Sequence, residues 1–254
     1  MKSGKNNRPR LTGEYVRDFY NNTLGGMDMP YSDFRWFSSS FSIAEYNQTK
    51  KAVLSTLGNK DFNSVLEIGG GDGAWTELLI ERSGHITELD ISEEMIARAK
   101  ERFGGRGNIN FVCTDFLENN LSSNKYDLIY AARCFEYFPD KGKAVSEIHR
   151  LLKSGGEVLI VTKNPHYITL KKGEKKTLHR GQISSQDLKY LLVSVGFVIK
   201  DIKPAILGKK FDIMPARILF NALHAISLSR AGFLVPGVME KYFSESYLVL
   251  AQRP

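Results

Sequence analysis

Apolar residues fall into two rhythms along this chain. From Asn63 onward, short apolar runs alternate with stretches where apolar side chains recur every three or four positions. The runs predict strands over Ser64–Ile68, His85–Leu89, Ile109–Cys113, Tyr126–Ala131, Glu157–Thr162, Phe197–Ile202 and Tyr247–Ala251. The periodic stretches predict helices over Ala74–Arg82, Ser92–Phe103, Asp140–Leu152 and Ser185–Val195. Strands that are apolar throughout are buried on both faces, so the alternation predicts an α/β fold with a parallel sheet covered by helices on both sides. Upstream, residues 11–60 read as helical and polar-aromatic, and residues 1–10 as a disordered tail. Met214–Ser229 has apolar positions at 214, 218, 219, 222, 223 and 226, a helical period, with Pro215 suited to its first turn. The expected organisation is an N-terminal tail and helical cap over 1–60 and a main domain over 61–254. An insertion at about 203–240 precedes the last strand.

Composition narrows the class without choosing a function. The 254 residues are 42% apolar and 25% charged, ordinary for a soluble globular chain and unlike a disordered, collagenous or multi-span membrane protein. Cys113 and Cys134 are the two cysteines, and neither has a CxxC partner or a histidine at metal spacing. A metal site and a disulfide framework are therefore not expected, and a cytoplasmic, reducing location is. The basic N-terminus is not followed by an apolar segment, so no secretory signal is expected. Net charge is +7, and residues 163–217 alone carry ten Lys and two Arg against three Asp and one Glu. That stretch is either a solvated lysine-rich face or a surface that meets an anion.

The chemistry concentrates in Val65-Leu-Glu-Ile-Gly-Gly-Gly-Asp-Gly-Ala-Trp75, where a strand turns into the next segment. Glycines there permit a sharp turn and close approach of a ligand to the backbone. Gly69-x-Gly71-x-x-Ala74 also satisfies the dinucleotide fingerprint. Three further features reweight it. Glu67 stands two residues before the first glycine, Gly73 extends the spacing to Glu-x-Gly-x-Gly-x-Gly, and Asp90 closes the next strand. There a carboxylate can accept from both hydroxyls of a ribose. Asp115 and Phe116 close the third strand, suited to an adenine amino group and a ring contact.

With these residues the sequence resembles the class I S-adenosylmethionine-dependent methyltransferases. The resemblance runs from about Asn63 to Gln252. It takes in Glu67–Gly73, Leu89-Asp-Ile-Ser-Glu-Glu-Met95, Cys113-Thr-Asp-Phe116, Tyr126-Asp-Leu-Ile129, Leu151-Leu-Lys-Ser-Gly-Gly156 and Val195-Gly-Phe197. It implies a Rossmann-like seven-stranded sheet with an antiparallel last strand, and S-adenosylmethionine as cofactor. By resemblance, Glu67, Gly69, Gly70, Gly71 and Gly73 line the amino-acid end of the cofactor. Asp90, with Ile91 beside it, matches the ribose binder, Asp115 and Phe116 the adenine contacts, and Ala131 and Ala132 the floor of the cleft.

A sulfonium methyl needs little beyond alignment and exclusion of water; a hydroxyl acceptor also needs a base. His166, after the fifth strand, is the expected base, with Tyr137 orienting the acceptor and Arg133 holding an anionic group. Each has a structural alternative: a loop histidine, a core or lid tyrosine, a salt-bridged arginine. Asn164-Pro-His-Tyr167 is similar to the loop of amine-methylating enzymes acting on bases, but follows the fifth strand instead of the fourth. Cys134 follows Arg133 where the cytosine-C5 enzymes have Pro, so nucleic acid is not the expected substrate. Aminopropyltransferases share the glycine loop but carry an acidic pair where Arg133 stands here. A catalytically inactive cofactor-binding subunit remains an alternative. The expected acceptor is a small molecule, hydrophobic, anionic or lipid-linked. The basic stretch 163–217 and the helix 214–229 are an expected peripheral contact with a membrane surface or a lid on the acceptor.

Overall fold

A computed structural model describes residues 11–167, 181–208, 214–229 and 241–254. Seven strands form one sheet in the order β3-β2-β1-β4-β5-β7-β6. They are β1 (Phe62–Ile68), β2 (Ser83–Asp90), β3 (Ile109–Cys113), β4 (Tyr126–Ala132), β5 (Leu152–Lys163), β6 (Val198–Leu207) and β7 (Ser244–Gln252). β1 to β5 pair in parallel, and β7 runs antiparallel between β5 and β6. The parallel part is the sheet that the apolar rhythm predicts, and the antiparallel β7 completes the Rossmann-like arrangement that the resemblance implies.

Side chains alternate across the strands, and both faces are covered. Val65, Ile86, Leu128, Tyr130, Leu159, Val161 and Leu248 pack on one face with α2 (Ser40–Leu57), Trp75 and Phe103. Leu66, Leu89, Ile129, Ile160 and Val249 pack on the other with α4 (Lys141–Leu151) and α5 (Ser185–Ser194). The sequence places caps where helices need them: Ser92 accepts from Met95 N before α3 (Glu93–Phe103), Asp140 from Lys143 N before α4, and Ser184 from Asp187 N before α5.

The chain ahead of the sheet is tied down by side chains. α1 (Gly13–Leu24) begins at Thr12, whose hydroxyl accepts from Tyr15 N. Asn21 on α1 accepts from the Ser92 hydroxyl at 2.6 Å and donates to Glu93 at 2.6 Å. Arg98 then donates to the carbonyls of Leu24, Met27 and Met29, closing the open end of α1. These contacts hold the aromatic segment across the carboxyl ends of β1–β4.

Two elements differ from the expectation. Ala74–Arg82 is not an α-helix but two consecutive tight turns, Thr76–Leu78 and Ile80–Arg82, with i to i+3 bonds such as Leu79 N to Thr76 O. Trp75 is stacked on Tyr46 at 4.8 Å, and the Thr76 hydroxyl is bonded beneath the loop at 2.6 Å. Those anchors draw the segment into the tighter winding. α6 (Met214–Ser227) forms as expected but packs Phe220 and His224 toward β6, with the His224 ring bonded to Ala205 O at 3.1 Å. None of its described residues lines the cleft, where the expected lid would close, and Ile218 and Leu219 are exposed. Most lysines of the basic stretch, residues 230–240 of the insertion and the tail 1–10 lie outside the described residues. No described helix is long and apolar enough to cross a membrane.

Candidate active site

β1 and β4 are sheet neighbours, while the chain leaves β1 toward β2 on the opposite side. That reversal opens a crevice at the carboxyl ends of the strands, where ligands of open α/β sheets bind. A cavity of about 380 Å³ occupies it, within the usual range for small-molecule sites.

The glycine loop forms one wall, with Gly69, Gly70 and Gly71 lining the cavity. Gly69 has φ +67°, and an added Cβ would lie 2.5 Å from Cys134 Cβ, so the turn and its packing both need glycine there. Asp90 stands beside the loop. Its two carboxylate oxygens accept from Gly71 N at 3.0 Å and from Ser92 N at 2.9 Å. Ile91 adds a third backbone bond, and of the four lone pairs on the two oxygens this leaves acceptor capacity for a further donor. Burial pushes this carboxyl up to about 6, against the lowering effect of those backbone bonds. Asp115 accepts from Leu117 N at 2.8 Å, starting a short turn, and also lines the cavity with Ile91 and Phe116. Gly13 at the start of α1 comes so close that a Cβ would meet Asp115 Oδ2 at 2.0 Å.

The opposite wall comes from the N-terminal segment and from the ends of β4 and β5. Tyr20, Tyr31, Arg35 and Trp36 line it with Ala132, Arg133, Tyr137 and Lys163. Tyr20 stands edge-on to both Tyr31 and Tyr137, at 5.9 and 6.0 Å between rings. Burial is the main cause raising the pKa of all three phenols, so they remain protonated and can donate. The cavity thus joins a carboxylate-and-glycine half to an aromatic half that bears cations.

A family model described as a methyltransferase domain matches residues 66–160, which carry the glycine loop, Asp90, Asp115 and Arg133. By this match residues 66–160 form a methyltransferase domain. It is 32% identical over 182 residues to malonyl-[acyl-carrier protein] O-methyltransferase 1 of Ilyobacter polytropus, covering 70% of this chain and 63% of that protein. The chain therefore spans less than two thirds of that relative. In fold it is similar to phosphoethanolamine N-methyltransferase 2 of Haemonchus contortus, solved with phosphomonomethylethanolamine and S-adenosylhomocysteine. There the TM-score is 0.67 at 20% identity, over 97% of this chain and 62% of that one. It is equally similar to the [4+2]-cyclase SpnF, with a TM-score of 0.65 at 19% identity, over 97% and 98% of the two chains.

Several expected site residues lie away from the cavity wall. Glu67 is buried beneath the loop and accepts from the Thr76 hydroxyl at 2.6 Å, away from the cavity wall. Gly73 packs against Phe103, and Ala131 points into the opposite core because neighbouring strand residues face opposite ways. His166 is exposed and lines a separate hollow with Asn164, Ser184 and Tyr247. Asn164 donates to Lys241 O and Ser244 O and accepts from His166 N at 3.0 Å, turning the chain away from the cleft. His166 is thus not among the residues that line the cavity, where the expected base would stand. Arg133 does reach the cavity, but it is held in a buried ion pair with Glu245 at 3.2 Å and bonded to the Ser246 hydroxyl at 2.6 Å.

Sequence reasoning missed Tyr20, Tyr31, Arg35, Trp36 and Lys163. The aromatic surplus before residue 47 was a signal for Tyr20, Tyr31 and Trp36. For Lys163 the signal was a charge just past the apolar run 158–161.

Register explains a further feature. Glu67 on β1 pairs with Glu88 on β2, bringing two buried carboxyls to one Thr76 hydroxyl. One hydroxyl proton cannot serve two carboxylates. Burial is the main cause raising both, with repulsion from Glu67 adding at Glu88; Glu67 is pushed to about 7 and Glu88 to about 9. Below pH 4.5 the unfolded and folded states both hold the Glu88 proton. As pH rises toward 9, the unfolded chain releases it and the folded chain does not, so stability falls. Glu88→Gln removes that cost. Its unfolding free energy should match the parent near pH 4.5 and exceed it increasingly up to pH 8, by at most about 1.4 kcal/mol per pH unit. Urea titrations at pH 5 and pH 8 that give the same difference would refute the assignment.

Proposed function

We propose that this chain transfers a methyl group from S-adenosylmethionine to a small-molecule acceptor bound in the aromatic half of the cleft. The observation that carries the reading is Asp90, whose buried carboxylate lines the cavity beside Gly69–Gly71 with acceptor capacity left over. In this reading the Asp90 oxygens accept from two ribose hydroxyls. Asp115, Phe116 and Ile91 hold the adenine, and the backbone of Gly69–Gly71 and Ala132 borders the amino-acid end. The cofactor supplies a methyl group already activated on a sulfonium. Tyr20, Tyr31 and Trp36 would exclude water and confine the acceptor, which is where proximity lowers the barrier. Tyr137 stays protonated and acts by donating a hydrogen bond, not as a base.

The solved cyclase of similar fold shows that architecture alone does not choose the reaction. Incubation with methyl-labelled S-adenosylmethionine and cell extract, followed by mass spectrometry of labelled products, tests the proposal. Label should appear in a small-molecule fraction. Calorimetric binding of S-adenosylhomocysteine without label transfer to any extract would favour the inactive-subunit reading instead. A membrane contact through α6 rests only on the exposed Ile218 and Leu219 and carries no part of this reading.

A further inference from the structure

The cleft divides by strand. Asp115, Asp90 and the glycine loop stand at the ends of β3, β2 and β1, three adjacent strands. At about 4.8 Å per strand they span about 10 Å, enough for a nucleoside laid along the sheet. The cavity continues past them over β4 and β5, where Arg133, Tyr137 and Lys163 line it and Tyr20, Tyr31 and Arg35 close it from the N-terminal segment.

Three cations in one half of a cavity need counter-charge. Their carboxylate partners are buried and stand behind them, off the cavity wall. Arg35 meets Glu45 at 3.1 Å, and Arg133 meets Glu245 at 3.2 Å with Glu136 at 3.9 Å. Lys163 is less well served. Its contact is Glu245 Oε1 at 3.8 Å, on a carboxylate whose other oxygen already takes Arg133 and the Ser246 hydroxyl. Burial and then the Arg133 charge push the Lys163 amine down to about 8. Burial and the same Arg133 charge also lower Arg35. An anion in this half of the cavity would offset both effects, and the protonated Tyr31 and Tyr137 hydroxyls add neutral donors.

We propose that the acceptor carries a small oxyanion, a carboxylate or phosphate, held over β5 by Lys163 and Arg35 with the Tyr31 and Tyr137 hydroxyls. The inference rests on the proposed function in one respect, the placing of the cofactor over β1–β3. The rival source of the same chemistry is the carboxylate of the cofactor itself.

Calorimetry separates the two. S-adenosylhomocysteine is titrated into the parent, Lys163→Met and Lys163→Arg proteins, and inorganic phosphate is then titrated into each protein saturated with it. The parent should bind phosphate in the millimolar range. Lys163→Met should weaken that binding about tenfold or more, as loss of a charge-assisted hydrogen bond does, and Lys163→Arg should restore most of it. Affinity for S-adenosylhomocysteine should change less than twofold in either variant. If Lys163→Met weakens S-adenosylhomocysteine and the saturated parent binds no phosphate, the cations serve the cofactor and the proposal is wrong. If phosphate fails to bind while S-adenosylhomocysteine affinity is unchanged, the wall is a self-satisfied ion-pair network and the proposal is equally wrong. Should the parent not bind S-adenosylhomocysteine at all, the proposed function fails. Phosphate titration into the unsaturated proteins then decides the anion site: Lys163-dependent binding upholds it, and none overturns it.

Discussion

Arg133→Ala is expected to cost about 3–5 kcal/mol of folding stability, the usual consequence of removing one partner from a buried ion pair. Arg133 is buried, as are Glu245 and Glu136 around it. Desolvation alone would lower its pKa, but these two carboxylates more than offset that and raise it. Without the guanidinium, two carboxylates stay buried with less compensation, and the Ser246 hydroxyl loses its 2.6 Å partner. For a chain of this length the loss should lower the melting temperature by on the order of 10 °C. Adding Glu245→Gln to Arg133→Ala should recover part of it, because one of the stranded charges goes. A loss under about 1 kcal/mol in urea unfolding would mean that water reaches the pair. Arg133 would then be no more than a surface bridge.

Asp90→Ala should weaken S-adenosylhomocysteine binding roughly ten- to a hundredfold, from the loss of charge-assisted hydrogen bonds worth about 1.5–3 kcal/mol each. The carboxylate also fixes Gly71 N and Ser92 N, so Asp90→Asn is the better-behaved companion, retaining one acceptor oxygen. A pH series adds a readout that a purely structural role would not move. Hydroxyl donors favour the ionised carboxylate, and the free protein takes up the proton near pH 6. Affinity should therefore be level above about pH 7 and fall by up to tenfold per unit below 6. In Asp90→Asn the fall should be much shallower. Equal binding by folded Asp90→Ala and parent proteins would remove the ribose assignment.

What the sequence determined by itself was local physics. Apolar runs of strand length announced the sheet, because strands buried on both faces tolerate few polar residues. Gly69 announced a turn, since its φ of +67° is costly for other residues. Asp90, directly after the expected strand His85–Leu89, announced a carboxylate at a strand end. Ser92, Asp140 and Ser184 cap their helices by equally local bonds, each satisfying an amide three residues on.

Tertiary structure alone decided what depends on contacts between distant segments. Glu67 became a buried partner of Glu88 because the β1–β2 register aligns them. Thr76, 9 and 12 positions from those carboxyls, drew the expected helix into tight turns. His166 left the cleft because Asn164 is tied to carbonyls 77 and 80 residues further on. Arg133 found its counter-charge 112 residues away. Tyr20, Tyr31 and Arg35 reached the cavity only because Arg98 and Ser92 hold the N-terminal segment across the strand ends. None of these pairings has a period or a short spacing to betray it. Each is chosen by strand register and by the requirement that buried polar groups find partners.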